Sequence, residues 1–303
     1  TIMAIGHADA LLPRRQSATV RRGGARRGLA SRCCPPISAL RPSTYRLYFL
    51  REWHDCILSC RNRLPPPQRE NMTMSLSSAL EQVNQRIRLA EQASNRPAGS
   101  VRLLAVSKTF PADAIRDAHA AGQRAFGENY VQELESKCAE LASLTDIEWH
   151  FIGPLQSNKT RVVAELAHWV HSVDRLKIAE RLSAQRPAQL PALNVCVQVN
   201  VSGEQSKSGC EPGQAIALAQ AVAKLPQLTL RGLMCIPDPH ADPATLAGQF
   251  SRLAALREQL RADGLGLDTL SMGMSSDLET AIGAGSTLVR GGTAIFGARD
   301  YSK

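Results

Sequence analysis

Several absences narrow the field first. None of the eight cysteines form a CxxC pair, and no histidine spacing accompanies them, so a structural zinc site is not indicated. Cys33, Cys34, Cys56 and Cys60 lie before residue 74, and Cys138, Cys196, Cys210 and Cys235 lie after it. Cys196 falls inside an apolar strand pattern, where a thiol is a small hydrophobe. A reducing, cytoplasmic compartment without disulfides is expected. No run approaches the ~18 apolar residues of a spanning helix, so no membrane association is expected. No internal repeat points to a solenoid. Nor is there a charge excess in most of the chain. Residues 1–73 hold 13 Arg, no Lys and 4 acidic residues, the whole of the net +9. The other 230 residues hold 23 basic and 23 acidic side chains, which leaves nothing surplus for a phosphate backbone and excludes nucleic acid as a partner.

Residues 1–73 also lack any sustained helix or strand period. They carry Arg14-Arg15, Arg21-Arg22, Arg26-Arg27, Gly23-Gly24 and Pro65-Pro66-Pro67, and read as a disordered basic leader. A twin-arginine signal fails because no apolar stretch of suitable length follows Arg14-Arg15. An Arg-rich transit peptide remains open on composition. A dispensable, upstream-translated extension is the simpler expectation, since Met74-Ser75-Leu76 looks like a natural beginning.

What is present after Met74 is alternation. Ser77-Ser78 offers an N-cap, and apolar positions 80, 83, 87 and 90 keep helical spacing to Ala93. Short aliphatic runs then recur with helical stretches between them. The runs are 101–106, 124–127, 148–152, 169–173, 193–201, 228–234, 269–272 and 287–290; the helices follow Pro111 and cover about 131–144, 159–166, 175–185, 214–224, 243–262 and 278–284. Eight strands alternating with helices over ~205 residues fit an α/β fold of the (β/α)8 TIM-barrel class, a single domain over 74–303. A dinucleotide fold would need GxGxxG after its first strand, and Ser107-Lys108-Thr109-Phe110 stand there.

Lys108 sits at the carboxyl end of the first strand. A lysine held against an apolar strand end tends to lose its proton, and a neutral amine attacks carbonyls. The plainer alternative is a lysine that marks where the strand surfaces. In such barrels chemistry gathers at the carboxyl ends of the strands, and phosphate binds after strands 7 and 8. After strand 7 come Gly273-Met274-Ser275-Ser276-Asp277, and after strand 8 come Arg290-Gly291-Gly292-Thr293. Each is alone a common turn; together they offer hydroxyls, amides and a permanent cation at the two expected places. A Schiff-base lysine beside a phosphate cradle suits pyridoxal 5'-phosphate (PLP). A class I aldolase would need an acid/base pair as well, and the strand ends offer no obvious second lysine or inward carboxylate.

The segments Leu103–Lys108 (LLAVSK), Phe126–Glu133 (FGENYVQE), Trp149–Lys159 (WHFIGPLQSNK), Ser206–Gly209 (SKSG), Arg231–Met234 (RGLM), Ser271–Ser275 (SMGMS) and Val289–Asp300 (VRGGTAIFGARD) resemble the pyridoxal phosphate homeostasis protein family (YggS/PROSC type). The resemblance covers essentially 75–303. It implies a barrel of the alanine racemase N-terminal type and a role in buffering or delivering PLP, with effects on amino-acid and keto-acid balance and no established turnover. By that resemblance Lys108 is the aldimine lysine, and Ser275, Ser276, Gly292 and Thr293 hold the phosphate. Arg290 approaches the pyridine nitrogen. An arginine does not hand over its proton, so the ring stays a poor electron sink.

Asn129 and His150, at strand ends 2 and 3, are candidates for touching the ring or its phenolic oxygen; His150 alternatively packs beside Trp149. Asn200 reads as a turn cap, and Lys207 as a second PLP acceptor, a lid lysine or a solvated loop lysine. Implied partners are PLP and the apo forms of PLP-dependent enzymes; a monomer is expected. The alternative is an amino-acid racemase, which needs a base on each face of the substrate carbon. Alanine racemases use a tyrosine from an added β-domain, and only ten residues follow Thr293 here. Tyr130 and Tyr301 are the tyrosines outside the leader, and Tyr130 is the sole candidate near the mouth.

Overall fold

The computed structural model describes residues 75–204 and 207–298. Helix α1 (Leu76–Ala93) buries Leu80, Val83, Ile87 and Ala90, the spacing read from sequence. Its cap is Ser75, whose side chain accepts from Ser78 N, rather than the expected Ser77-Ser78. The buried Glu91 then ties the helix to the chain entering the barrel, accepting from Val101 N at 2.8 Å and Gly99 N at 3.1 Å.

The strands are β1 (Arg102–Val106), β2 (Ala125–Glu128), β3 (Glu148–Phe151), β4 (Trp169–Val173), β5 (Leu193–Gln198), β6 (Leu228–Met234), β7 (Thr269–Met274) and β8 (Leu288–Gly291). All pair in parallel, in chain order, and β8 closes on β1. Between them run α2 (Ala112–Ala120), α3 (Val131–Glu140), α4 (Thr160–Leu166), α5 (Leu176–Gln185), α6 (Pro212–Val222), α7 (Pro243–Ala262) and α8 (Leu278–Gly283); α9 (Thr293–Phe296) follows β8. The expected TIM-type barrel is therefore the fold.

The main core lies between strands and helices. Phe126 and Phe151 point outward from β2 and β3 and are fully buried, as are Ile115, Leu134, Val163 and Leu182 from the helices. Burying each such side chain is worth roughly 1.5–3 kcal/mol, so this shell dominates stability. Inside the barrel the apolar filling comes as two small clusters, Leu104, Ala125 and Leu288 with Ile152, and Trp169, Cys196 and Met234. Strand parity does the rest, because alternate residues of each strand face the axis.

Candidate functional site

On β1 the inward parity runs through Leu104 and Val106 to Lys108, just beyond the strand. Val106 and Lys108 line a cavity of about 580 Å³ at the carboxyl-end mouth of the barrel. The same cavity is walled by Asn129, Ser275, Ser276, Arg290, Gly292 and Thr293, with Ile152, Met234, Ile236 and Met274 as its apolar part. Seven of the eight residues expected from sequence are thus brought together; His150 is not among them.

The turn after β7 is held from three sides. Gly273 has φ 96°, and a Cβ there would stand 2.6 Å from the Ala281 Cβ, so only glycine fits. Asp277 takes the Met274 amide at 2.6 Å, and burial pushes its carboxyl above the usual range. Arg86 reaches across from α1, donating to Ser275 O at 3.0 Å and pairing with Glu279 at 2.8 Å. After β8, Gly292 caps α9, whose first amides have no acceptor inside the helix.

Arg290 is buried on the cavity wall. Its Nη1 donates to Ser271 O at 2.7 Å and Ser271 Oγ at 3.0 Å, and its Nη2 to Cys235 O at 2.8 Å. Burial lowers its pKa, but a guanidinium stays charged. The N–H groups not spent on these bonds are the ones an acceptor in the cavity would meet.

Below Arg290 a file of polar side chains fills the barrel axis. Ser271 Oγ meets His171 Nδ1 at 2.8 Å, and His171 Nε2 meets His150 Nδ1 at 2.9 Å. His150 Nε2 has no closer partner and faces Glu148 Oε1 at 3.5 Å. Both rings are fully buried, and burial lowers both pKa values, so both are neutral. The tautomers follow from the carboxylate, which only accepts: His150 carries its proton on Nε2, His171 donates from Nε2, and Ser271 donates to His171 Nδ1 while accepting from Arg290. Glu148 also accepts from Trp169 Nε1 and Arg102; burial is outweighed by His150 and then Arg102, which hold its carboxyl below the usual range.

His150, expected at the mouth, does not line the cavity. One inward position further, just past the end of β3, Ile152 lines the cavity, and His150 lies in the layer beneath. It packs, although against Trp169 (centroids 5.4 Å apart) and not beside Trp149.

The alanine racemase N-terminal domain family matches residues 79–300. The pyridoxal phosphate homeostasis protein of Pseudomonas aeruginosa is 63% identical over 227 residues, 75% of this chain and 97% of that one. The Escherichia coli K12 protein of the same name is 54% identical over 226 residues, covering 74% and 97%. The chain belongs to the pyridoxal phosphate homeostasis protein family. Among solved structures, PipY of Synechococcus elongatus with PLP bound is 42% identical with a TM-score of 0.62, covering 71% of this chain and 100% of that one.

One buried polar cluster beside the site was missed from sequence. Behind Lys108, on the helix side of the wall, Lys137 of α3 places Nζ 2.9 Å from Ser107 O, 2.8 Å from Glu128 and 2.8 Å from Glu133. A second lysine therefore does approach the strand end, though it does not line the cavity. The i,i+4 spacing of Glu133 and Lys137 was its only signal, and that reads as an ordinary surface helix pair.

Asn129 owes its place to Gly153: a Cβ at 153 would stand 2.0 Å from Asn129 O, so the β2 and β3 ends touch backbone to backbone. Asn200 closes its own turn, accepting from Gly203 N at 3.1 Å and donating to Glu204 O at 2.8 Å. Lys207 pairs with Glu204 at 2.6 Å and donates to the carbonyl of Pro237, the residue after the lining Ile236; Lys207 does not itself line the cavity. Tyr130 is 55% exposed and does not line the cavity. The leader, Ser206 and Tyr301 lie outside the described residues.

Proposed function

We propose that this chain holds PLP in the mouth cavity, linked to Lys108 as an imine, and serves as a carrier that buffers PLP or hands it to apo enzymes in the cytoplasm. The observation that carries the reading is the convergence of Lys108, the Ser275-Ser276 and Gly292-Thr293 turns, and Arg290 on one cavity. The donor set fits the group: hydroxyls and amides for a phosphate dianion, a guanidinium for a ring nitrogen, and an amine for an aldehyde. About 580 Å³ is an ordinary size for a cofactor site. Relatives that bear the homeostasis name, and the PLP-bound PipY, support the same ligand.

When bound, PLP supplies an electron-withdrawing ring. Arg290, fixed by Ser271 and Cys235, offers that ring a hydrogen-bond donor that keeps its own proton, which keeps the withdrawing power low. Among the described residues lining the cavity, Lys108 and Arg290 are the ionisable ones. Racemisation asks for a second base facing the lysine, and Tyr130 does not line the cavity. This favours carriage over turnover.

The test is to load the full chain with PLP, reduce it with borohydride and map the labelled peptide. Label on Lys108, and its loss in Lys108→Ala, is expected; label on another lysine overturns the assignment. Incubation with L-alanine in D2O should leave the α-hydrogen in place, and rapid exchange with racemisation would overturn the carrier role.

A further inference from the structure

The segment that carries Lys108 is not held by its own strand alone. Ser107 is fully buried and faces the helix layer. Its hydroxyl donates to Glu128 Oε1 at 2.6 Å, and its carbonyl accepts from Lys137 Nζ at 2.9 Å. On the other side of Lys108, Thr109 N donates to Glu133 Oε2 at 2.7 Å. Thr109 has φ 69°, a left-handed backbone that a β-branched residue keeps only when its surroundings impose it. The three hydrogens of the Lys137 ammonium match three acceptors, Ser107 O, Glu128 and Glu133, so the group has one orientation.

Two of those acceptors are the carboxylates that themselves grip residues 107 and 109. Lys137 and Glu133 thus hold the main chain on the two sides of Lys108, and Glu128 holds the Ser107 hydroxyl and the Lys137 ammonium. A buried ion cluster is a poor way to gain stability, since well-packed apolar side chains of similar volume do as well or better. What it supplies and an apolar plug would not is directional restraint.

We propose that Glu128, Glu133 and Lys137 are positioning residues for Lys108, clamping the backbone on both sides so that its amine enters the cavity at one angle. The proposal rests on Lys108 being the PLP anchor. The lysine then meets the aldehyde without first ordering a loop, and the gain appears only in binding that uses the amine.

The experiment is a double-mutant cycle on PLP affinity, measured by equilibrium dialysis with full-length protein. Lys137→Met and Glu133→Ala are each made in the wild-type and Lys108→Ala backgrounds. With Lys108 present, each should weaken PLP binding roughly tenfold, the scale of one lost charge-assisted hydrogen bond. In Lys108→Ala each should change it by less than about twofold. Glu133→Gln, which keeps an oxygen for Thr109 N, should recover most of the affinity. An equal loss in both backgrounds would mean general damage and would overturn the clamp. If Lys108→Ala alone binds PLP as wild type does, the anchor assignment itself fails, a different outcome from failure of the clamp. Should Lys137→Met not fold, Glu133→Ala against Glu133→Gln carries the same comparison.

Discussion

Glu128 offers a quantitative test of how the cluster behind Lys108 is charged. Its carboxyl is buried, and burial outweighs the nearby Lys137 and the Ser107 hydroxyl, pushing its pKa up to about 7 from an ordinary 4.5. Oε2 takes no hydrogen bond, so it is the oxygen that would receive the proton. A raised carboxyl means the folded state binds a proton more tightly than the unfolded chain. Stability from this group is then full at low pH and falls as pH rises from about 4.5 to about 7. Spread over that interval, the loss amounts to about 3 kcal/mol at most.

Glu128→Gln keeps the shape and an acceptor for Ser107 and Lys137 but removes the titration. His150 and His171, buried and neutral, drive stability the opposite way over part of the same range, so the difference between wild type and variant is the quantity to follow. Thermal melts at several pH values between 4.5 and 8 should show wild type losing ground to Glu128→Gln as pH rises. The relative fall should reach about 6–12 °C, using about 2–4 °C per kcal/mol for a domain of this size. A difference that stays constant with pH would refute the reasoning. It would mean that the ion pair with Lys137, and not burial, sets the charge of Glu128.

Two further outcomes test the cavity itself. Thr293→Val removes a hydroxyl from the phosphate turn and should weaken PLP retention by about 1 kcal/mol, roughly fivefold in dissociation constant by dialysis; unchanged retention would remove Thr293 from the site. Arg290→Glu should raise slow transamination of an added amino acid, followed by keto-acid release, because a carboxylate keeps a ring nitrogen protonated. No increase would count against the role given to Arg290.

The strands were readable because each is a short aliphatic run with a turn at its end, and β4 and β6 match the expected bounds, Trp169–Val173 and Leu228–Met234. Ends slipped where hydrogen bonding and hydropathy part company. β2 runs on to Glu128, whose charge hid its place in the ladder, and α6 starts at Pro212, two residues early, because proline suits a first turn. The cavity residues were readable because barrel geometry dictates where strand ends meet. His150 lies outside the cavity lining and Ile152 within it, because being near a strand end does not say which layer a side chain fills. Arg86 and the Ser275 carbonyl it holds lie 189 residues apart, and no local pattern carries such a contact.

The file from Arg290 down to Glu148 makes the two ends of the barrel mutually informed. Each imidazole must donate on one side and accept on the other, so the direction of the whole row is decided once, by the anion at the amino-end opening. A neutral amide at position 148 would take away the reason for that direction, and either sense would then satisfy the rings. The floor of the binding mouth would feel an edit made at the opposite pole of the molecule, with no backbone having moved.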